Sequence, residues 1–287
     1  FSPPVLARLL CVQLEEVDGD FDMQGLGALE DLSPLDHLRR VGGNLTIHSA
    51  PLLKDLSGLD NLAEIGGDLF LRDNAGLLSL RGLGSLERVG RSVAMVKLAN
   101  IGHLKGIGRL QSVGRHLGLY QLPKLRALTG LESLQTIGRD LALVQLPMLE
   151  SVAALRQLKS VGGNLHIADT AALVQLNGLQ SLVSVGGDFR LDVSEESVGM
   201  RLSGLHSLAH VGGNVTIRGA VDCLPGCIYD RTSWYEWFVH LFASRCEPDD
   251  DEVESEEEYV TAAQMRVEME TPDEILPGVS APAIVRG

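Results

Sequence analysis

Few residues in this chain combine a reactive type with a spacing that supports chemistry. His206 and His210 stand four apart, as a two-histidine metal pair on a helix would, but their register in the repeat puts them near a corner, where surface histidines are expected. Gly-Gly-Asp at 66–68 and 186–188 has the look of a calcium β-roll. The nonapeptide period of such a roll is absent, so turn capping is the expected role. Asp20, Asp68, Asp140 and Asp188 would be the acids of a polysaccharide-cleaving β-helix, yet they fall on separate coils and face backbone corners. No His-Glu-x-x-His, phosphate-cradling Gly loop or Gly-x-Ser-x-Gly occurs. The expectation is a non-enzymatic chain with no metal and no cofactor, a carbohydrate-active β-helix being the remote alternative. Two sequons, Asn44-Leu-Thr46 and Asn214-Val-Thr216, would accept sugar in a secretory host, although both coincide with the repeat consensus.

A repeat positions all of these residues. A leading Val or Ile recurs at 17, 41, 65, 89, 113, 137, 161, 185 and 211, with seven gaps of 24 residues and a last gap of 26. A fixed period of this size specifies a solenoid of stacked coils. Within a coil numbered from the leading residue, positions 5 and 7 are apolar: Leu45/Ile47, Leu69/Leu71, Leu117/Leu119, Leu141/Leu143, Leu165/Ile167. Position 6 varies freely. This alternation predicts a short strand with 5 and 7 inward and 4, 6 and 8 outward, paired in parallel with its neighbours. Positions 13, 16, 19 and 22 (Leu53, Leu56, Leu59, Leu62) supply the other inward sides. Glycines at positions 2, 3 and 18 (Gly42, Gly43, Gly58) mark corners. The polar residues at position 4, from Asp20 and Asn44 to Asn214, are expected to cap backbone N–H groups. The fold class is therefore a mainly β solenoid of nine 24-residue coils with capped ends.

The pattern divides the chain into an N-terminal cap (1–16), the solenoid (17–217), a C-terminal cap (218–246) and an acidic tail (247–287). Trp234 and Trp237 would cover the open end of the core, in a short helix over about 233–242. The tail is expected to be disordered or folded back. A chain starting at Phe1 instead of Met reads as a processed form. No run of 18 apolar residues spans a membrane. Cys11 lies at the far end of the stack from Cys223, Cys227 and Cys246, about 40 Å away at about 4.8 Å per coil, out of reach of a disulfide. Of the other three, Cys227–Cys246 or Cys223–Cys246 would staple the cap, and Cys223–Cys227 would close a small loop. Either staple fits a secreted, cell-surface or other oxidising compartment.

The string Leu-x-x-Leu-x-Gly-Leu-x-x-Leu-x-x-Val-Gly-Gly-Asn-Leu-x-Ile, clearest over 53–71 and 173–191, resembles the receptor L-domain branch of leucine-rich repeats and covers about 70% of the chain. Such repeats occur in insulin- and EGF-type receptor ectodomains, in fungal cell-wall proteins and in bacterial or protist surface proteins. The resemblance implies a right-handed β-helix whose sheet faces bind protein or peptide ligands, usually outside the cytosol.

The outward positions of the three middle coils depart together from the rest. Positions 6, 8 and 10 read Ala94, Val96, Leu98; Gly118, Tyr120, Leu122; and Ala142, Val144, Leu146. Stacking would make a three-by-three apolar panel, unless position 10 points inward under a turn. The second glycine is replaced there by Arg91, Arg115 and Arg139, a basic ridge beside the panel. An apolar field bordered by charge, with Tyr and Arg at its centre, has the composition of a binding face. The expected partner is a protein; an obligate joint within a larger assembly is the second reading. The formal charge of −14 is uneven: residues 89–160 carry 3 acids and 10 bases, and residues 247–287 carry 13 acids and 2 bases. The tail is thus expected to cover the basic coils or compete with an acidic partner for them. Nucleic acid is not an expected partner, because stacking aromatics are nearly missing apart from Tyr120.

Overall fold

A computed structural model describes residues 13–193 and 200–219 of the protein. The terminal caps beyond these limits, with Cys11, Cys223, Cys227, Cys246, Trp234 and Trp237, and the acidic tail lie outside the described residues.

Each coil contributes one strand to each of two parallel sheets. The first sheet stacks nine two-residue strands: β1 (Glu16–Val17), β3 (Arg40–Val41), β5 (Glu64–Ile65), β7 (Arg88–Val89), β9 (Ser112–Val113), β11 (Thr136–Ile137), β13 (Ser160–Val161), β15 (Ser184–Val185) and β17 (His210–Val211). The second stacks nine four-residue strands: β2 (Phe21–Gln24), β4 (Leu45–His48), β6 (Leu69–Arg72), β8 (Val93–Val96), β10 (Leu117–Tyr120), β12 (Leu141–Val144), β14 (Leu165–Ala168), β16 (Phe189–Asp192) and β18 (Val215–Arg218). Among the described residues there is no α-helix, only short 3-10 turns. Pairing is in register with the repeat, so Leu117 lies beside Val93 and Leu141, and Tyr120 beside Val96 and Val144. Equivalent side chains therefore form columns, the expected β solenoid.

The core is the sum of aliphatic columns. Leu45, Ile47, Leu53, Leu56, Leu59 and Leu62 are all fully buried, and the same positions are buried in the five coils that follow. This is a narrow core in which each coil covers its neighbour, so burial is cooperative along the stack.

Position 10 corrects the sequence expectation. Leu98, Leu122 and Leu146 are fully buried, not outward. The cause is the residue before them. Ser49, Asp73, Lys97, Gln121, Gln145 and Asp169 all adopt positive φ, between 51° and 57°. A left-handed residue at position 9 ends the strand alternation, so the next side chain turns in beneath the corner. Asn74 at the same position is buried too, where its Oδ1 accepts from Ala50 N–H (2.9 Å) and its Nδ2 donates to Ile47 O (2.8 Å).

The corner glycines divide by cause. Gly58 and Gly82 at position 18 have φ of +109° and +105°, and an added Cβ would meet the carbonyl oxygen of Leu32 or Leu56 at 2.1 or 1.8 Å. Where that glycine is absent, at Pro34 and Ala154, the chain takes a 3-10 turn instead (Ser33–Leu35 and Ala153–Gln157). Gly43 at position 3 has no positive φ; a Cβ there would stand 2.2 Å from Asp20 Oδ1.

That contact belongs to a ladder. The Asp and Asn residues at position 4 reach one coil on and accept the N–H of their own equivalent: Asn44 onto Asp20 (2.7 Å), Asp68 onto Asn44 (2.8 Å), Ser92 onto Asp68 (2.7 Å). Beyond the middle it resumes, Asn164 onto Asp140 (2.6 Å), Asp188 onto Asn164 (2.8 Å) and Asn214 onto Asp188 (2.7 Å). Turn capping at both Gly-Gly-Asp triplets is thus realised, with the capped amide on the next coil. Asn44, in the first sequon, serves as such a cap, while Asn214 in the second is exposed.

Candidate functional site

The outward face of the four-residue strands carries positions 6 and 8, and the middle coils make it apolar. The column at position 6 runs Phe70, Ala94, Gly118, Ala142, His166, and that at position 8 runs Arg72, Val96, Tyr120, Val144, Ala168. The panel is therefore two columns wide, since Leu98, Leu122 and Leu146 belong to the core. Ala94 and Ala142 are 6% and 8% exposed, so they floor the face, and Val96, Tyr120 and Val144 stand on it.

Gly118 lets the Tyr120 ring lie down. A Cβ on residue 118 would be 2.3 Å from Tyr120 Cε2 and 2.9 Å from both Cζ and Oη. The ring thus spans its own strand and directs its hydroxyl back toward position 4. Burial pushes the Tyr120 phenol up to about 12, with the Asp140 carboxylate adding to the effect.

Arg91, Arg115 and Arg139 form the expected ridge. They are exposed and stack one per coil, Arg115 N–H donating to Arg91 O (2.7 Å) and Arg139 N–H to Arg115 O (2.8 Å). None of their guanidinium groups forms an ion pair among the described residues.

The sequence reading missed three features. The first is at position 4 of the same coils, where Ser92, His116 and Asp140 stack in one column. His116 Nδ1 stands 2.8 Å from Asp140 Oδ2. These are the residue types of an acyl-transfer triad, but no hydrogen bond joins the Ser92 hydroxyl to the imidazole and Ser92 is only 9% exposed. The second and third are ion-pair groups that close the apolar strip at its two ends. Asp73 Oδ2 takes both Arg72 Nε (3.1 Å) and His48 Nε2 (3.2 Å). At the other end Asp192 takes Arg190 Nε (2.6 Å), with His166 Nε2 at 3.5 Å and Arg218 Nε at 4.0 Å. Burial, reinforced by Arg190, holds the His166 imidazole below its ordinary value despite Asp192. These groups pair residues one coil apart or within two positions of each other, and only the column register exposes the inter-coil partners in the sequence.

His206 and His210 are exposed, as expected, with His206 Nδ1 3.2 Å from Ser203 O. No group of three metal-ligating side chains occurs among the described residues, and no helix among them is long and apolar enough to cross a membrane. Comparison of the chain with protein-family models, with curated proteins and with solved structures returned no match.

Proposed function

We propose that this solenoid is a non-enzymatic recognition module that binds a protein partner through the Tyr120 face, in the manner of receptor L-domain repeats and in a secreted or surface-exposed setting. The observation that carries this reading is the Tyr120 ring laid on Gly118 between Val96 and Val144, beside three unpaired arginines. A ring held flat against a sheet loses little conformational freedom on binding and offers a large apolar surface. Unpaired arginines at its edge add charge selectivity and steering. The repeat string at 53–71 and 173–191 supports the L-domain comparison.

A pull-down comparing the parent with Tyr120→Asp tests it, with Leu52→Asp, at an exposed leucine off this face, as control. A partner recovered by the parent and the control but lost from Tyr120→Asp supports the reading. Equal recovery of every partner overturns it. A parent that is soluble only in complex would instead mark the face as an obligate joint of a larger assembly.

A further inference from the structure

Along the corner beside the arginines, the ladder at position 4 closes six of its eight coil-to-coil steps, and the two open ones are consecutive. Ser92 is too short to reach the His116 amide. His116 turns its ring onto Asp140 instead of capping that residue's amide. The N–H groups of His116 and Asp140 therefore have no protein acceptor among the described residues. Each directly follows an arginine of the ridge, Arg115 or Arg139.

The open steps are not a steric consequence of those arginines. Arg91 occupies the same position, and the Ser92 N–H next to it is still capped by Asp68 (2.7 Å). Nor does the local acid fill the gap. Asp140 Oδ1 accepts from Asn164 N–H (2.6 Å), and its Oδ2 faces His116. Two main-chain donors without a protein acceptor and three exposed arginines thus lie along one edge.

We propose that this corner is a binding site for paired oxyanions, filled by a carboxylate-rich segment of the protein partner. The inference rests on the recognition reading and names the chemistry of the partner. Elsewhere in the column the acceptor is a side-chain carboxylate or amide oxygen, so a carboxylate is the chemical type that would complete the open rungs. The two amides lie one coil apart, about 4.8 Å, a separation that two acidic side chains of one peptide can match. Carboxylates bridging amide N–H groups and a guanidinium form charge-assisted bonds, which outweigh neutral ones. The Tyr120 and valine face beside the corner accepts apolar side chains of the same segment, which a sulfated sugar would lack.

The test is fluorescence anisotropy with a labelled oligoglutamate peptide, alongside a heparin oligosaccharide and inorganic phosphate. The parent binds the peptide, and the His116 and Asp140 amide proton resonances move downfield as it does. Ser92→Asn, alone or with His116→Asn, restores the Asn-type caps seen at Asn44 and Asn164; it lowers peptide affinity by about tenfold or more without lowering the melting temperature. Arg115→Gly with Arg139→Gly weakens binding too and flattens its salt dependence. Absence of peptide binding, or equal affinity of parent and recapped variants, overturns the proposal; so does tighter binding of heparin or of phosphate alone. A partner lost from Tyr120→Asp but retained by the recapped variants would overturn this site and leave the recognition reading standing.

Discussion

Tyr120 lies over Gly118, two residues back on β10, in the space a side chain at 118 would fill. No other coil has glycine at this position, and no other has an aromatic residue at the position of Tyr120. The two residues act as one unit: the missing Cβ makes the seat, and the ring fills it. Gly118→Ala places a methyl group 2.3 Å from Cε2 and lifts the ring off the sheet. Lost ring burial should cost about 1–2 kcal/mol in urea unfolding. Partner binding should fall as it does for Tyr120→Asp. Unchanged stability and binding would mean that the seating of the ring has no consequence.

The same seating makes Tyr120 a reporter of alkaline stability. Its phenol is raised to about 12, above the ordinary value of about 10, first by burial and then by Asp140. The folded state holds this proton more tightly than the unfolded chain. Stabilisation from the neutral phenol is thus complete below pH ~10 and is lost as pH rises through ~12, a decline of roughly 2–3 kcal/mol. Unfolding measured across this window should show the decline in the parent and a shallower one in Tyr120→Phe. Coincident pH profiles would contradict the assigned burial.

The columns were legible because the side chains that make them recur at a fixed spacing. Leu45 and Ile47 alternate, Leu53 to Leu62 recur every three residues, and one period of 24 fixes which residues meet. Leu98, Leu122 and Leu146 were misplaced because strand alternation was carried through a left-handed corner. Lys97, Gln121 and Gln145 give no compositional sign of positive φ, unlike the glycines at 25 and 219 that take the same turn. The composition of the Asp and Asn ladder signals capping, but its direction, onto the next coil, follows from the stacking of the coils and not from residue type. Its two open steps were hidden because Ser92 and His116 look like ordinary polar residues. What they lack is reach, which depends on the inter-coil distance and on the pull of Asp140 on the imidazole.

His166 supplies a prediction at the acidic end of the pH scale. Its imidazole is held below 6.5 by burial first and by Arg190 second, against the pull of Asp192 and Asp169. The folded chain therefore binds this proton less readily than the unfolded one. The contribution to stability is present above the unfolded value near 6.5 and is lost as pH falls through the lower folded value. Arg190→Gln removes one cause of the depression, so the His166 ring resonances should titrate at higher pH in that variant. Titration at the same pH in both proteins would show that burial alone sets the value.

Two glycines two residues apart give the sharpest test of the coil geometry. Gly82 has φ of +105°, and a Cβ there would lie 1.8 Å from Leu56 O of the preceding coil; Gly84 has nothing within 4 Å of its Cβ position. The contact at 82 is to backbone, which cannot swing aside as a side chain can. Gly82→Ala must therefore open the stack or convert the corner to the 3-10 form seen at Ala154. Its expected cost is about 3 kcal/mol or more, whereas Gly84→Ala should change stability by less than about 0.5 kcal/mol or raise it slightly. Thermal unfolding of the pair decides the matter. If both substitutions are tolerated equally, the coils are not in the close backbone contact on which every column of this solenoid depends.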